Sequence, residues 1–276
     1  MAVPIPSEAF EVFDNDEITR ENIEQAATLF SQEYGIWGPK GPRPGKRICM
    51  SAPKLEDQIF PELSIDGYEQ FERASEYRLV RSLMDGEIIG HATACYWKFV
   101  VEELGISTDI CWVTQLVVKK DWRGRGIAKQ MLGKLNKEPE EGHRCGRPGR
   151  TYYGILSSSP FAIMAAWRAF GQADRMIEDS DLKVLALEEC SAAKILESGS
   201  EIPYLQTAAS QLRGTVFDPS SEDGSVCSAF TNFFIDHTEP EEALRMLEAR
   251  GNKWPFGRLG DGCEYLLIAV GTEEGS

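Results

Sequence analysis

Asp121–Leu132, DWRGRGIAKQML, is the stretch on which the fold turns. It follows the largely β-branched run Val113–Val118 and passes directly into a pattern with Ile127, Met131, Leu132 and Leu135 on one helical face. A strand, a tight turn and a helix start in succession leave several backbone N–H groups unpaired at one point, and the helix dipole adds positive potential there. Gly124 and Gly126 let the backbone approach a ligand that a Cβ would hold off, while Arg123 and Arg125 supply charge. The arrangement suits a pyrophosphate.

The flanking sequence sets this turn in a mixed α/β chain. Upstream, Phe10–Phe13 reads as a short strand, and Thr19 caps a helix whose apolar residues Ile23, Ala26, Ala27 and Phe30 share a face. Gly35–Arg47, GIWGPKGPRPGKR, is too rich in Gly and Pro for regular structure and reads as a long loop or lid. Segment 51–75 suggests helical turns. Tyr77–Met84 and Glu87–Val100 flank Asp85-Gly86 as a hairpin, and Ile110–Val118 is the next strand.

Downstream, the helix spans Gly126–Lys137 and the loop 138–150 is polar. Tyr152–Leu156 is a strand, and Ser159-Pro160 opens a helix to Phe170 with serine as N-cap. Leu185–Leu196 and Ile202–Leu212 look helical, Val226–Asp236 looks like a strand, and Thr238–Glu241 forms a capping box for a helix to Arg250. Glu264–Val270 is a final strand. With no repeat, low-complexity tract or clear linker, residues 1–276 read as a single domain. Its core is 10–172, followed by a helical insert at 173–225 and a strand–helix–strand at 226–270.

Ile127-Ala128 replaces the Lys and Ser/Thr that a Walker loop needs, and Lys129 stands where a dinucleotide fingerprint needs its third glycine. Arg123-Gly124-Arg125-Gly126-Ile127-Ala128 instead satisfies R/Q-x-x-G-x-G/A, the acetyl-CoA turn of the GNAT N-acetyltransferases. Together with its lead-in QLVVKKDW and the strand–helix pair at 152–170, the chain resembles that superfamily over roughly residues 10–172. The resemblance implies the GNAT acyl-CoA N-acyltransferase fold, an α/β class with a central mixed, mostly antiparallel splayed sheet flanked by helices. It implies acetyl-CoA as co-substrate. Leu116, Val117 and Val118 would bond the pantetheine arm through the strand backbone. Amides from Arg123, Gly124, Arg125, Gly126, Ile127 and Ala128 would cradle the pyrophosphate. Ser158 and Ser159 would stand in for the family's asparagine, whose place Pro160 takes.

Acetyl transfer to an amine needs a proton acceptor, an oxyanion donor and a proton for the leaving thiolate. The amide of Val117 or a close neighbour suits the oxyanion. The family's frequent glutamate and tyrosine fall on Trp112 and Trp167, neither of which exchanges protons usefully. Asp109, Gln115 (holding a water) and Tyr96 are the remaining candidates, with His91, Asp236 and His237 behind them. Direct transfer in a ternary complex is the expected mechanism. A catalytically silent acyl-CoA binder and an O-acyltransferase stay open as alternatives.

A formal charge of -15, from 44 acidic and 29 basic side chains, argues against nucleic acid or an anionic membrane as partner. It favours a cationic acceptor, either a small-molecule or a peptide amine, although the basic lid at 35–47 points the other way. The 7 cysteines show no CxxC pair, and His143 with Cys145 lacks further ligands, so no metal is expected. No charged-then-apolar leader and no apolar run near ~18 residues is present. A cytoplasmic protein is therefore expected, with a homodimer left open.

Overall fold

The computed structural model describes residues 8–61, 75–101, 106–136, 151–171, 177–178, 181–182 and 192–270. The loop at 138–150, with His143, Arg144, Cys145, Arg147 and Arg150, lies outside them, as do 62–74 and most of 172–191. The strands are β1 (Glu8–Asp14), β2 (Glu76–Met84), β3 (Glu87–Val101), β4 (Ile106–Val118), β5 (Thr151–Ser157), β6 (Leu212–Arg213), β7 (Ser228–Phe230) and β8 (Cys263–Val270). The helices are α1 (Arg20–Glu33), α2 (Ala52–Ile59), α3 (Ile127–Leu135), α4 (Pro160–Phe170), α5 (Ala192–Ser198), α6 (Pro203–Ala209) and α7 (Thr238–Ala249). Among the described residues the strands form one sheet, β1-β2-β3-β4-β5-β8-β7-β6. Only β4 and β5 pair in parallel; the other neighbours are antiparallel.

The period-two alternation of each strand sorts the helices onto two faces. Gly90, opposite Val118, lies under Met131 of α3, and Tyr153 stacks on Phe170 of α4 with ring centroids 4.3 Å apart. The other face carries Val117 under Leu29 and Phe30 of α1. On that face Tyr77 meets Phe60, just after α2, edge-on at 5.7 Å. Trp97 donates to Ser198 of α5 at 2.8 Å and Trp112 donates to Tyr204 of α6 at 3.1 Å. Helices therefore cover both faces, and the apolar core lies between each layer and the sheet.

Two local features shape the sheet around the turn. The β2–β3 hairpin closes through Asp85 and Gly86, both at positive φ (49° and 83°), as its tight two-residue turn requires. In β4, Ala94 pairs with Val113 and Thr93 with Gln115, so Thr114 is an extra residue, a β-bulge, and its hydroxyl meets that of Thr93 at 2.8 Å.

Three sequence expectations change. The strand expected at Val226–Asp236 is sheet only over Ser228–Phe230. Asn232 takes φ 60°, and Ile235 pairs with Trp37 of the 35–47 loop instead of the sheet. The helix expected at Ile202–Leu212 stops at Ala209, because Leu212 and Arg213 pair with β7. Thr238 is the first residue of α7 rather than its cap; the Asp236 carboxylate accepts the Thr238 amide at 2.8 Å.

The 35–47 loop closes on itself through an Ile36–Arg47 bridge. It is tied to the strap Thr231–His237 by Gly38 N–H to the Phe234 carbonyl (2.9 Å) and Asp236 N–H to the Ile36 carbonyl (2.8 Å). Loop and strap form one layer.

Candidate active site

At the end of β4 a short 3-10 turn, Lys120–Trp122, delivers the chain to Arg123. Gly124 and Gly126 then take φ 77° and 84°, a backbone that L side chains rarely adopt. Gly126 is the N-cap of α3 and offers no side chain to it. Among the described residues, the amides of Gly124 through Lys129 have no hydrogen-bond partner, and nothing lies within 4 Å of a Cβ built on Gly124 or Gly126. The result is an open cup of donors at a helix N-terminus, which fits an anion such as a pyrophosphate. Ile127 anchors it in the core, while Ala128 is half-buried.

The two arginines differ in their work. Arg123 donates from Nε to the Val118 carbonyl (2.9 Å) and from Nη2 to the Glu33 carbonyl (2.6 Å), and pairs through Nη1 with Glu239. Its guanidinium thus ties the turn to β4, the end of α1 and the start of α7. Arg125 lies exposed over the Trp122 ring, 4.5 Å from its centroid, and donates to the Asp121 carbonyl at 3.1 Å.

Beside the cup the sheet splays. β4 and β5 pair only from Asp109–Thr151 to Val113–Ile155, although β4 continues to Val118 and β5 to Ser157. Among the described residues the β4 edge from Thr114 to Val118, including Leu116, has no strand partner on that side; apart from the Val118 carbonyl, which Arg123 takes, its outward backbone groups face a slot leading to the cup. Across the slot, Ser158 is buried. Ser159 accepts the Ala162 amide at 3.4 Å as the cap of α4, so its hydroxyl serves that helix.

The sequence-derived proton-transfer set is not brought together. Asp109 is exposed near the far end of β4; at ~3.3 Å per residue it stands on the order of 25 Å from Val117. Tyr96 points to the opposite face, where its hydroxyl donates to the Leu135 carbonyl of α3 and burial raises its phenol well above the ordinary value. Gln115 is buried on the slot face, but its amide oxygen accepts from Nε2 of His91 at 2.7 Å. Burial, reinforced by the nearby Arg81 charge, pushes His91 down to about 4 against the lift from Gln115, so it stays neutral. Trp112 is fully buried against Gly154, and Trp167 is buried in α4. Asp236 is held below the usual carboxylate range by its bonds to Thr238 and serves α7.

A different group emerges on the slot face. Glu264, in β8, is buried, and burial pushes its carboxyl up to about 7 against a hydrogen bond from Thr231. The phenols of Tyr34 and Tyr204 are raised by burial and further by the charge of Glu264. Their sequence signal is thin. Glu264 is an acid beside an otherwise apolar run, YLLIAV, and its partners come from α1 and α6.

A splayed sheet with an open amide cup at the end of its β4 strand defines an acyl-CoA acyltransferase fold. Residues 49–146 match the model of the acetyltransferase (GNAT) family. Comparison with curated proteins finds no match. Among solved structures, an aminoglycoside acetyltransferase from an uncultured soil metagenomic sample is 18% identical, covering 47% of this chain and 69% of its own, with a TM-score of 0.27. NAA60 of Arabidopsis thaliana, in complex with a bisubstrate analogue, is 15% identical over 62% of this chain and 86% of its own, with a TM-score of 0.35. Diaminobutyrate acetyltransferase EctA of Paenibacillus lautus, with coenzyme A and L-2,4-diaminobutyric acid, is 16% identical over 59% and 72%, with a TM-score of 0.29. Likeness at this level carries no substrate across. Among the described residues no helix is long and apolar enough to cross a membrane.

Proposed function

We propose that the protein is an acetyl-CoA-dependent N-acetyltransferase that moves the acetyl group to the amine of a small molecule or peptide within a ternary complex. The observation that carries this reading is the continuity, among the described residues, of the β4 edge beyond Val113, which has no strand partner on the β5 side, with the unpartnered amides of Gly124–Lys129. The first is a strand edge to which an extended pantetheine arm can add. The second is a donor cup for a pyrophosphate.

The thioester supplies the activated acetyl group when bound. The chain's own part is to bind and orient it: Leu116, Val117 and Val118 through the β4 backbone, Arg123–Ala128 through the turn. Val117 turns its backbone groups to β3, so the outward β4 amide of a close neighbour, Leu116 or Val118, donates to the oxyanion. Ser158 lies across the slot. Arg123 holds the cup in place through Val118, Glu33 and Glu239. The acidic surface, at a formal -15, favours encounter with a cationic acceptor.

The test is thiol release from acetyl-CoA in the presence of a polyamine, an amino sugar or a basic peptide. At least one should raise the rate well above that without protein, and intact-mass spectra should show no acetyl-enzyme. A rate equal to the protein-free control for all three, or a burst of acetyl-enzyme, contradicts the reading.

A further inference from the structure

Glu264 sits where the slot opens. Ser157 of β5 pairs with Tyr265, so Glu264 is level with Ser158, beyond the last β4–β5 pair at Val113–Ile155. Trp112 pairs with Gly154 and Gly154 with Ile268, placing Ile268 on the face of Trp112. Four residues along β8 with period two, Glu264 returns to that same face, about 13 Å nearer the mouth.

The surroundings have a one-sided charge balance. Tyr34 at the end of α1, Tyr204 of α6, Thr231 of the strap and Cys263 beside it are the polar or titratable neighbours that act on Glu264 or feel its charge. Burial and the Thr231 hydrogen bond set its state, and no lysine or arginine among the described residues offsets its charge. A buried carboxylate without a cation is costly, and a glutamine would hold Thr231 equally well. The missing positive charge is one that a ligand can bring.

Resting on the acyl-CoA reading above, we propose that Glu264 receives the acceptor amine as its ammonium ion and takes one proton from it. The freed nitrogen lone pair forms the C–N bond to the acetyl carbon as the C–S bond breaks. The second nitrogen proton passes to the departing sulfur. Amide and thiol are formed, and Glu264 returns one proton to solvent. The acceptor class is therefore a primary amine that arrives charged, enclosed by Tyr34, Tyr204 and the strap.

The experiment compares wild type, Glu264→Gln and Glu264→Asp for acetyl-CoA binding by calorimetry and for thiol release with the three amine classes across pH. Unchanged acetyl-CoA affinity in Glu264→Gln, with a rate loss of about 100-fold, is expected for loss of a general base. The acidic limb of the pH profile should disappear, and Glu264→Asp should outperform Glu264→Gln. Equal rates and profiles in wild type and Glu264→Gln overturn the proposal, as does a Gln variant more active than Asp, the order a packing role gives. Acetyl-CoA binding by wild type with no turnover on any amine also overturns it. Absence of acetyl-CoA binding by wild type defeats the acyl-CoA reading itself and this inference with it.

Discussion

His91 and Glu264 are buried side chains whose charged forms burial disfavours, which lowers the imidazole and raises the carboxyl. Glu264, raised from 4.5 to about 7, contributes its stability fully below its ordinary value and loses it as pH rises through about 7. Glu264→Gln should accordingly be more stable than wild type at pH 8, by up to about 3 kcal/mol, with the gain gone near pH 4. Urea unfolding at the two pH values measures this, and an equal difference at both would refute it. His91, lowered from 6.5 to about 4, contributes stability that is present above its ordinary value and lost as pH falls. Between pH 7 and 4, wild type should lose about 3 kcal/mol more than His91→Gln, because only the histidine must take up a proton in an apolar site. Parallel acid denaturation of the two proteins would show it, and superimposable curves would contradict it.

At the scale of elements, the turn between β4 and α3 depends on Arg123, whose three anchors come from β4, α1 and α7. Arg123→Ala should weaken acetyl-CoA binding at least tenfold while the exposed Arg125→Ala has a smaller effect; the reverse order, read by calorimetry, would argue against a tethering role. On β5, a Cβ at Gly154 would lie 2.1 Å from the Trp112 ring. Gly154→Ala should cost about 1–3 kcal/mol, since the indole and the α6 helix above it must shift. A thermal melt unchanged from wild type would mean the ring moves freely. Long elements with local signals, such as α1 with its Thr19 cap and the Asp85-Gly86 hairpin, were legible in the sequence because their hydrogen bonds close between near neighbours. The strap was not. Val226–Asp236 has strand-forming residues, but which partner it takes, the sheet or the 35–47 loop, is decided by chain far away.

Across the whole molecule the same division separates the two halves of the site. The amide cup could be read from twelve consecutive residues, since its geometry is set by Gly124, Gly126 and the helix that follows. The proposed acceptor side could not. Asp109 and Tyr96 are chemically apt but lie at the wrong end and on the wrong face, facts fixed by register and pleat. Glu264, Tyr34 and Tyr204 come from separated parts of the chain, and Glu264 comes near enough to raise the two phenols through the docking of β8 between β5 and β7. The central claim is that the splayed β4 edge and the cup at Arg123–Ala128 form an acyl-CoA site. Calorimetric titration of wild type and Gly126→Val with acetyl-CoA and with free CoA tests it most directly. Wild type should bind both ligands, because the pyrophosphate and pantetheine are common to them, and Gly126→Val should bind neither while keeping its circular dichroism spectrum. Binding of neither ligand by wild type, or equal affinity in the folded variant, would contradict it.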